Sequence, residues 1–302
     1  MPKKFDSAWK EVIENLFEDF LNFFFPEIFA DIDFSKGYEF LNKELSSIVK
    51  DNKIGNRFAD ELVKVFLKNG SEKWLLVHIE VQGYKELNFE ERIFVYNYRI
   101  FDKYKKEVIS LAILTDGDRE YRPNQFKIER WRFKCIMEFP VVKLIDYQNE
   151  IQELEKDKNP FSLVVLAHLK LIEAGKDNEK KFDAKLALIK MLLKKGLDKT
   201  SIKELLIFVD WILQLPEKLE IKFDEELEKI QEDKLMSYVT TWERRAEKKG
   251  KIEGKIEGKI AGKIEGKIET AKKMILDGLS RDKIIKYTGL SEKEIDKLKK
   301  EM

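Results

Sequence analysis

The chain has 302 residues, of which 43% are hydrophobic and 38% are charged, enough to build a sizeable core and a second small domain. Its 58 lysines and arginines nearly balance its 57 aspartates and glutamates, which excludes a globally basic surface and leaves local patches for any nucleic-acid contact. The single cysteine, Cys135, excludes a disulfide framework, and no cluster of Cys and His indicates zinc.

The first elements of the chain are predicted to be helices. Apolar residues recur three and four positions apart over 7–25, which indicates an amphipathic helix that ends before Pro26. A second helix is predicted over 35–49 and carries Glu44. The most apolar N-terminal stretch, 20–30, lacks the length of a membrane span and the form of a signal peptide. We therefore expect a cytoplasmic protein with no membrane partner.

Two segments, 57–67 and 74–82, have the composition of β-strands and are separated by a short turn. Alternation along the second strand assigns Glu80 and Gln82 to one face. A hairpin could bring Asp60 of the first strand close enough to Glu80 to share a divalent cation, an arrangement used in phosphodiester cleavage. The alternative is an amphipathic hairpin whose polar face is solvated.

The rest of the chain predicts an α/β core followed by helices. The order helix, strand, strand, helix, strand indicates a sheet with helices packed on it. After the hairpin, the pattern predicts a helix over 89–105, a buried strand over 108–115, and strands at 128–135 and 141–147. Beyond Pro160 it predicts helices over 161–174, 180–195, 201–214 and 217–238.

The C-terminal tail begins with a repeat of Gly-Lys-Ile-Glu between 250 and 269. Its isoleucines recur every four residues and its glycines lower helix propensity, so we interpret it as a marginal helix or a semi-flexible spacer. Three short helices are predicted after it. They could form a helix-turn-helix unit that places its last helix on DNA, or a helical cap that stabilises an oligomer. Alternating acids and bases in the terminal helix favour the cap.

Several other residues have both a functional and a structural interpretation. Trp131 could stack on nucleic-acid bases, although core or interface packing is the more common role of tryptophan. Asp116 and Asp118 flank a glycine and could bind a cation or form a turn. His168 is interpreted as a packed or surface residue. A phosphate-facing patch could be formed by Lys103, Lys105, Lys106, Arg119, Arg122, Arg130 and Arg132.

Four segments, taken in order, resemble one known family. These segments are 37–44 (Gly-Tyr-Glu-Phe-Leu-Asn-Lys-Glu), 60–65 (Asp-Glu-Leu-Val-Lys-Val), 78–83 (His-Ile-Glu-Val-Gln-Gly) and 91–102. Together they resemble the Rpn-type recombination-promoting nucleases of the PD-(D/E)XK superfamily, bacterial proteins often described as transposases. The resemblance covers about residues 5–150 and implies a restriction-endonuclease-like mixed sheet flanked by helices.

The resemblance also implies a site and a cofactor. Asp60 matches the first metal-binding aspartate, Glu80 matches the second acid, and Glu44 is a candidate for the helical glutamate that completes some of these sites. The implied cofactor is Mg²⁺, with Mn²⁺ as an alternative, which polarises the scissile phosphate and activates a water molecule.

The chain departs from the superfamily pattern at Gln82, where a lysine is expected. A lysine would bring positive charge to the transition state, whereas an amide can only position water by hydrogen bonding. Lys64 on the first strand or Arg92 on the following helix could supply the missing charge.

These observations predict a Mg²⁺-dependent DNA endonuclease that acts in DNA recombination or mobile-element biology, with DNA as its partner and a homodimer as the assembly that would cut both strands. The alternatives are a catalytically inactive DNA-binding protein of the same fold and an interaction protein built around the helical tail. The predicted parts are a nuclease-like domain (1–155), a helical subdomain (156–240), a repeat spacer or helix (241–270) and a small helical tail (271–302).

Overall fold

The computed structural model describes residues 2–49, 61–80 and 88–229 and gives the backbone alone at 2–7, 46–49, 76–80 and 228–229. The chain divides into two units, Met1–Gln231 and Glu232–Met302, and all the described elements belong to the first. The predicted repeat and helical tail lie outside the described residues.

A five-stranded mixed sheet lies at the centre, in the order β1-β2-β3-β4-β7, and strands β5 and β6 form a separate ribbon. The strands are β1 (Glu39–Phe40), β2 (Glu61–Phe66), β3 (Glu72–Glu80), β4 (Val108–Leu114), β5 (Gln125–Arg130), β6 (Phe133–Glu138) and β7 (Val141–Lys143). Pairing is antiparallel from β1 to β3 and parallel from β3 through β4 to β7.

Helices cover this sheet and then continue the chain, which confirms the predicted α/β class with a mixed sheet flanked by helices. The α-helices are α1 (Pro2–Asn15), α2 (Phe17–Phe24), α3 (Pro26–Asp31), α4 (Asn42–Val49), α5 (Phe89–Tyr104), α6 (Ile151–Lys156), α7 (Pro160–Ala174), α8 (Asn178–Lys194), α9 (Lys199–Ile212) and α10 (Glu217–Lys229). No helix within the described ranges is both long and apolar enough to cross a membrane.

The predicted hairpin is formed by β2 and β3. Its turn contains Gly70, whose φ of 86° lies in the left-handed region that favours glycine, and Asn69, whose side chain accepts a hydrogen bond from the Ser71 N–H at 2.9 Å. The ladder pairs Glu61 with Val77. The turn chemistry therefore sets which residues of the two strands face each other.

One face of the sheet is covered by α4 and α5, which pack on each other and on the strands. A single buried cluster joins these helices to β2 and β3 and contains Leu41, Leu45, Leu62, Trp74, Tyr96 and Ile100. A second cluster, nearer the start of α5, contains Phe89, Ile93, Ala112, Leu114 and Phe139. The two clusters thus hold α5, which connects the parallel strands β3 and β4, along one face of the sheet.

The helices after the sheet pack back against the N-terminal helix. Trp9 of α1 is fully buried, and its indole N–H donates to Nε2 of His168 on α7 at 2.8 Å, while Phe208 of α9 contacts the indole edge-on. Burial lowers the pKa of His168 to about 3, so its imidazole stays neutral and can accept this bond. His168 is therefore a packed core residue.

The two N-terminal helical predictions were too long. The apolar stripe over 7–25 is interrupted at Leu16, whose φ of −130° is not helical, and this break lets α1 pack on α9 while α2 packs on α7. The region 35–49 contains a 3₁₀ turn, Phe34–Lys36, then β1 and α4. Gly37 has a φ of 72°, which ends the turn and prevents one continuous helix.

Two strand predictions were also wrong in detail. The single strand predicted over 128–135 is part of the ribbon, because the chain turns at Trp131, which has a φ of 54°. No Gly, Asn or Asp marks this turn, so it has no local signal among the residues that commonly form turns. The region 141–147 contains β7 and then a 3₁₀ helix, Leu144–Asn149.

Candidate functional site

The candidate site lies at the edge of the sheet where the parallel strands β3 and β4 end. Glu80, the last residue of β3, pairs with Leu114, the last residue of β4. The helix that connects two parallel strands begins at the edge where the first strand ends, and α5 begins there at Phe89. Ligands of open α/β sheets bind outside the carboxyl ends of the strands. The backbone of Glu80 is therefore at the edge where a substrate-facing residue is expected.

Two of the four predicted site residues belong to the described chain. Asp60 and Gln82 lie outside the described residues, Glu80 is described through its backbone, and Glu44 is a half-buried side chain on α4. Within 2–49, 61–80 and 88–229, no group of three His, Cys, Asp or Glu is placed to hold a metal ion. The assignment of these four residues to one site stays a prediction.

Glu44 is carried by a helix that is fixed on the sheet. Leu41 and Leu45, which precede and follow Glu44, pack with Leu62 of β2 in one buried cluster. The side chain of Asn42 accepts a hydrogen bond from the Leu62 N–H at 3.4 Å, which ties the start of α4 to β2. Glu44 therefore belongs to the helix that covers the face of the sheet occupied by Leu62.

Glu61, the first described residue of β2, is a buried carboxylate that sequence reasoning missed. Its side chain has no exposed surface, and Nζ of Lys10 on α1 lies 3.3 Å from its Oε1. Burial raises the pKa of Glu61 to about 7, and the attraction of Lys10 offsets only part of this effect. The pair Asp60-Glu61 is the sequence signal for a buried acid. Consecutive residues of a strand are assigned to opposite faces, and both faces of an interior strand are covered, so two consecutive acids indicate that one of them is buried.

We expect Glu61→Gln to stabilise the protein at high pH and to have little effect at low pH. Because folding raises the pKa of Glu61 from 4.5 to about 7, the folded state binds the proton more tightly, and stability is lost as pH rises through this range. At about pH 8.5 the glutamine variant does not suffer this loss. Its free energy of unfolding should therefore exceed that of the wild type by an amount on the order of 3 kcal/mol, at about 1.36 kcal/mol per pKa unit. Urea unfolding at about pH 5 and pH 8.5 in EDTA measures it.

The exposed Glu225→Gln on α10 is the matched control, since it makes the same chemical change at the surface. An equal pH dependence of stability in the wild type and in Glu61→Gln would contradict the assignment of a raised pKa to Glu61.

Two basic side chains were predicted as substitutes for the expected lysine. Lys64 forms an ion pair with Glu39 of β1 and lies three residues along β2 from Glu61, about 10 Å of strand. Arg92, in contrast, is in the first turn of α5, is 3% exposed, and its guanidinium lies 5.2 Å from the centre of the Phe89 ring. Between the two, the geometry favours Arg92 as the cation near the end of β3.

A buried ion pair joins the chain just after β4 to strand β7. Lys143 Nζ lies 2.8 Å from both carboxylate oxygens of Asp116 and donates to the Tyr121 carbonyl at 3.0 Å. Asp116 also accepts a hydrogen bond from the Asp118 N–H at 2.9 Å. The motif Asp116-Gly117-Asp118 thus forms a turn, as the structural interpretation predicted, and its first carboxylate is held by a lysine.

The seven basic residues predicted as one phosphate-facing patch are divided by acids. Three of them form ion pairs, Lys105 with Asp102, Lys106 with Glu72 and Arg122 with Asp146. Arg119 donates to the side chain of Gln148 at 2.7 Å. Arg130 and Arg132, in contrast, are both exposed and flank the turn of the β5–β6 ribbon. Of the seven residues, Arg130 and Arg132 therefore lie together at one exposed turn.

The C-terminal segment of the chain matches a known family. Residues 265–300 match the C-terminal HTH domain of the Rpn/YhgA-like nuclease family. The match begins at Glu265, within the Gly-Lys-Ile-Glu repeat, and supports the helix-turn-helix interpretation of the tail, against the helical cap that the alternating charges favoured. The matched residues lie outside those that the structure describes. Neither the curated proteins nor the solved structures gave a match to this chain.

Proposed function

We propose that this chain, whose residues 265–300 match the C-terminal HTH domain of the Rpn/YhgA-like nuclease family, is a nuclease of that family and acts as a Mg²⁺-dependent DNA endonuclease. The observation that carries the proposal is the position of Glu80 at the end of β3, on the edge where two parallel strands finish. Asp60, Glu44 and Gln82 are the other proposed site residues. A helix-turn-helix domain supports DNA as the partner.

The register of the β2–β3 hairpin supports a shared site for Asp60 and Glu80. The described antiparallel ladder ends at the pair of Glu61 with Val77. Asp60 directly precedes Glu61 in the sequence, and Glu80 follows Val77 by three residues on β3. Diagonal neighbours on adjacent strands are about 7–8 Å apart. Two carboxylate side chains can span this separation around one cation, whose oxygen ligands lie at about 2.1 Å.

Strand alternation supports the addition of Glu44. Asp60 is two residues from Leu62, and Glu80 is six residues from Trp74, so strand alternation assigns each acid to the same face as its apolar neighbour. Leu62 and Trp74 both belong to the buried cluster covered by α4 and α5. Since α4 carries Glu44, three carboxylates would converge on one face of the sheet.

This set of oxygen donors fits Mg²⁺, a hard cation that prefers carboxylate ligands, and also fits Mn²⁺. When bound, the cation would supply Lewis-acid polarisation of the scissile phosphate and would acidify a water molecule. Asp60 and Glu80 would hold the cation. Gln82 would orient the water through its amide without adding charge, and Arg92 would offset the negative charge that develops on the phosphate.

We expect the purified full-length chain to nick or linearise supercoiled plasmid in Mg²⁺ or Mn²⁺ and to leave it intact in EDTA, because the proposed carboxylates act only through a divalent cation. Agarose electrophoresis over a time course measures the conversion. A mock purification from cells that carry the empty vector controls for contaminating nuclease.

DNA binding without cleavage in any cation would favour the second candidate, a catalytically inactive DNA-binding protein of the same fold. Two observations favour that candidate, Gln82 in place of lysine and the match to an HTH domain, which holds DNA without phosphodiester chemistry. Its affinity would fall as salt rises. If the chain neither binds nor cleaves DNA, the third candidate remains, which is an interaction protein built around the tail.

The biological setting follows from the same proposal. DNA as the substrate makes the cytoplasm the proposed location and recombination or mobile-element biology the proposed context. Cutting both strands of a duplex usually requires two active sites, so a homodimer is the proposed assembly for double-strand cleavage.

A further inference from the structure

The β5–β6 ribbon is fixed at its base and exposed at its turn. At the base, Phe126 stacks on Phe94 of α5 with ring centres 4.2 Å apart, and Met137 packs against the buried cluster that contains Phe89. At the turn, Trp131 is 91% exposed. The ribbon therefore presents a large aromatic side chain to solvent on a support that is anchored to the helix α5.

Positive charge surrounds this tryptophan. Arg130, Arg132 and Lys134 are exposed, and none of the three forms an ion pair with another described residue. The neighbouring carboxylate, Glu129, is paired with a lysine on the same strand. The Arg130 guanidinium lies 5.0 Å from the centre of a Trp131 ring. The turn thus combines a cationic surface with an aromatic face, a combination that binds nucleic acid.

The backbone of the turn is itself unusual. Trp131 has a φ of 54°, in the left-handed region that a glycine would occupy without strain. A bulky residue held in such a conformation is a reason to look for a function of its side chain. Because the side chain is 91% exposed, a function of this residue would involve a partner outside its own fold.

The ribbon belongs to the same edge of the sheet as the proposed site. It follows β4, whose last residue Leu114 pairs with Glu80, and its base rests near the start of α5. A DNA segment bound at that edge would therefore be close to the ribbon.

We propose that the β5–β6 ribbon contacts duplex DNA, with Arg130, Arg132 and Lys134 on phosphates and Trp131 against the sugars and base edges. This inference rests on the proposed function and adds a second DNA contact to it. A two-stranded ribbon fits the major groove. A second copy of the chain fits this surface less well, because a two-fold contact through the turns would bring like charges together.

Equilibrium binding of a labelled duplex of about 30 base pairs, in EDTA, tests the ribbon separately from catalysis. We expect Arg130→Gln/Arg132→Gln to raise Kd about 10-fold and to reduce the slope of log Kd against log salt by about 2, close to 0.9 for each lost phosphate contact. Trp131→Ser should raise Kd several-fold without changing the slope. The control Lys180→Gln/Lys190→Gln removes the same charge from exposed positions on α8 and should change neither value.

Since the substituted side chains are exposed, the ribbon variants should keep the wild-type melting temperature. Wild-type Kd and slope in both of them would overturn the ribbon proposal while leaving the endonuclease intact. A change from dimer to monomer at unchanged DNA affinity would assign the ribbon to contact between copies instead. Altered binding by the ribbon variants in a protein that never cleaves DNA would support the ribbon and reject the endonuclease.

Discussion

Replacing Glu80 or Asp60 with alanine is expected to lower metal-dependent DNA cleavage by a factor on the order of 10³ or more, with DNA binding retained. Each substitution removes an oxygen ligand of the proposed cation, and the remaining acid alone holds Mg²⁺ weakly. Gln82→Ala should give a smaller loss, because the amide positions water but brings no charge. Initial rates of plasmid conversion at several Mg²⁺ concentrations measure these effects.

Matched controls separate loss of the site from a general effect of removing acids. Asp183→Ala on α8 and Glu225→Ala on α10 remove the same groups from exposed positions and should cleave at the wild-type rate. Full cleavage by both Asp60→Ala and Glu80→Ala would reject this site. Loss of cleavage together with a lower unfolding midpoint would assign the residues a structural role.

The parts of the fold that the sequence predicted are those with local signals. The β2–β3 hairpin was predicted because Asn69 and Gly70 form its turn, and β4 was predicted because a continuous apolar run is typical of a buried strand. The helix break at Leu16 and the ribbon turn at Trp131 were missed. The turn at Trp131 lacks a Gly, Pro or Asn. The break at Leu16 follows Asn15 and separates a helix that packs on α9 from one that packs on α7, a tertiary difference that helical periodicity does not show.

The residues of the candidate site also separate into those that local sequence patterns indicate and those that depend on tertiary packing. Glu80 and Asp60 were predicted by strand alternation and by the family resemblance, which need only the order of residues, and their place in one site stays a prediction. Glu61 was missed because its pKa depends on burial beneath α1, a contact with Lys10 across 51 residues of chain. Sequence patterns assign a residue to a face of a strand, but they do not show how completely tertiary packing removes that face from water.

Lys143→Met is expected to destabilise the protein by about 3–5 kcal/mol, the usual cost of leaving one partner of a buried ion pair without its counter-charge. Lys143 and Asp116 are 1% and 3% exposed, and the ammonium donates to both oxygens of the carboxylate at 2.8 Å. Methionine fills a similar volume, so the loss reflects the unpaired carboxylate of Asp116 more than a cavity. Urea unfolding of the full-length chain at neutral pH measures the change.

The double variant Lys143→Met/Asp116→Asn shows whether the two charges act as a pair. Asparagine can still accept the hydrogen bond from the Asp118 N–H, so this variant removes both charges and keeps the turn. We expect it to be more stable than Lys143→Met alone, because no buried charge is left unpaired. The exposed pair Lys170 and Glu173, changed to Met and Gln, should shift stability by less than about 1 kcal/mol. Additive effects of the two buried substitutions would contradict the pairing, and the stability of this edge would then have to come from the packing around Tyr121 and β7.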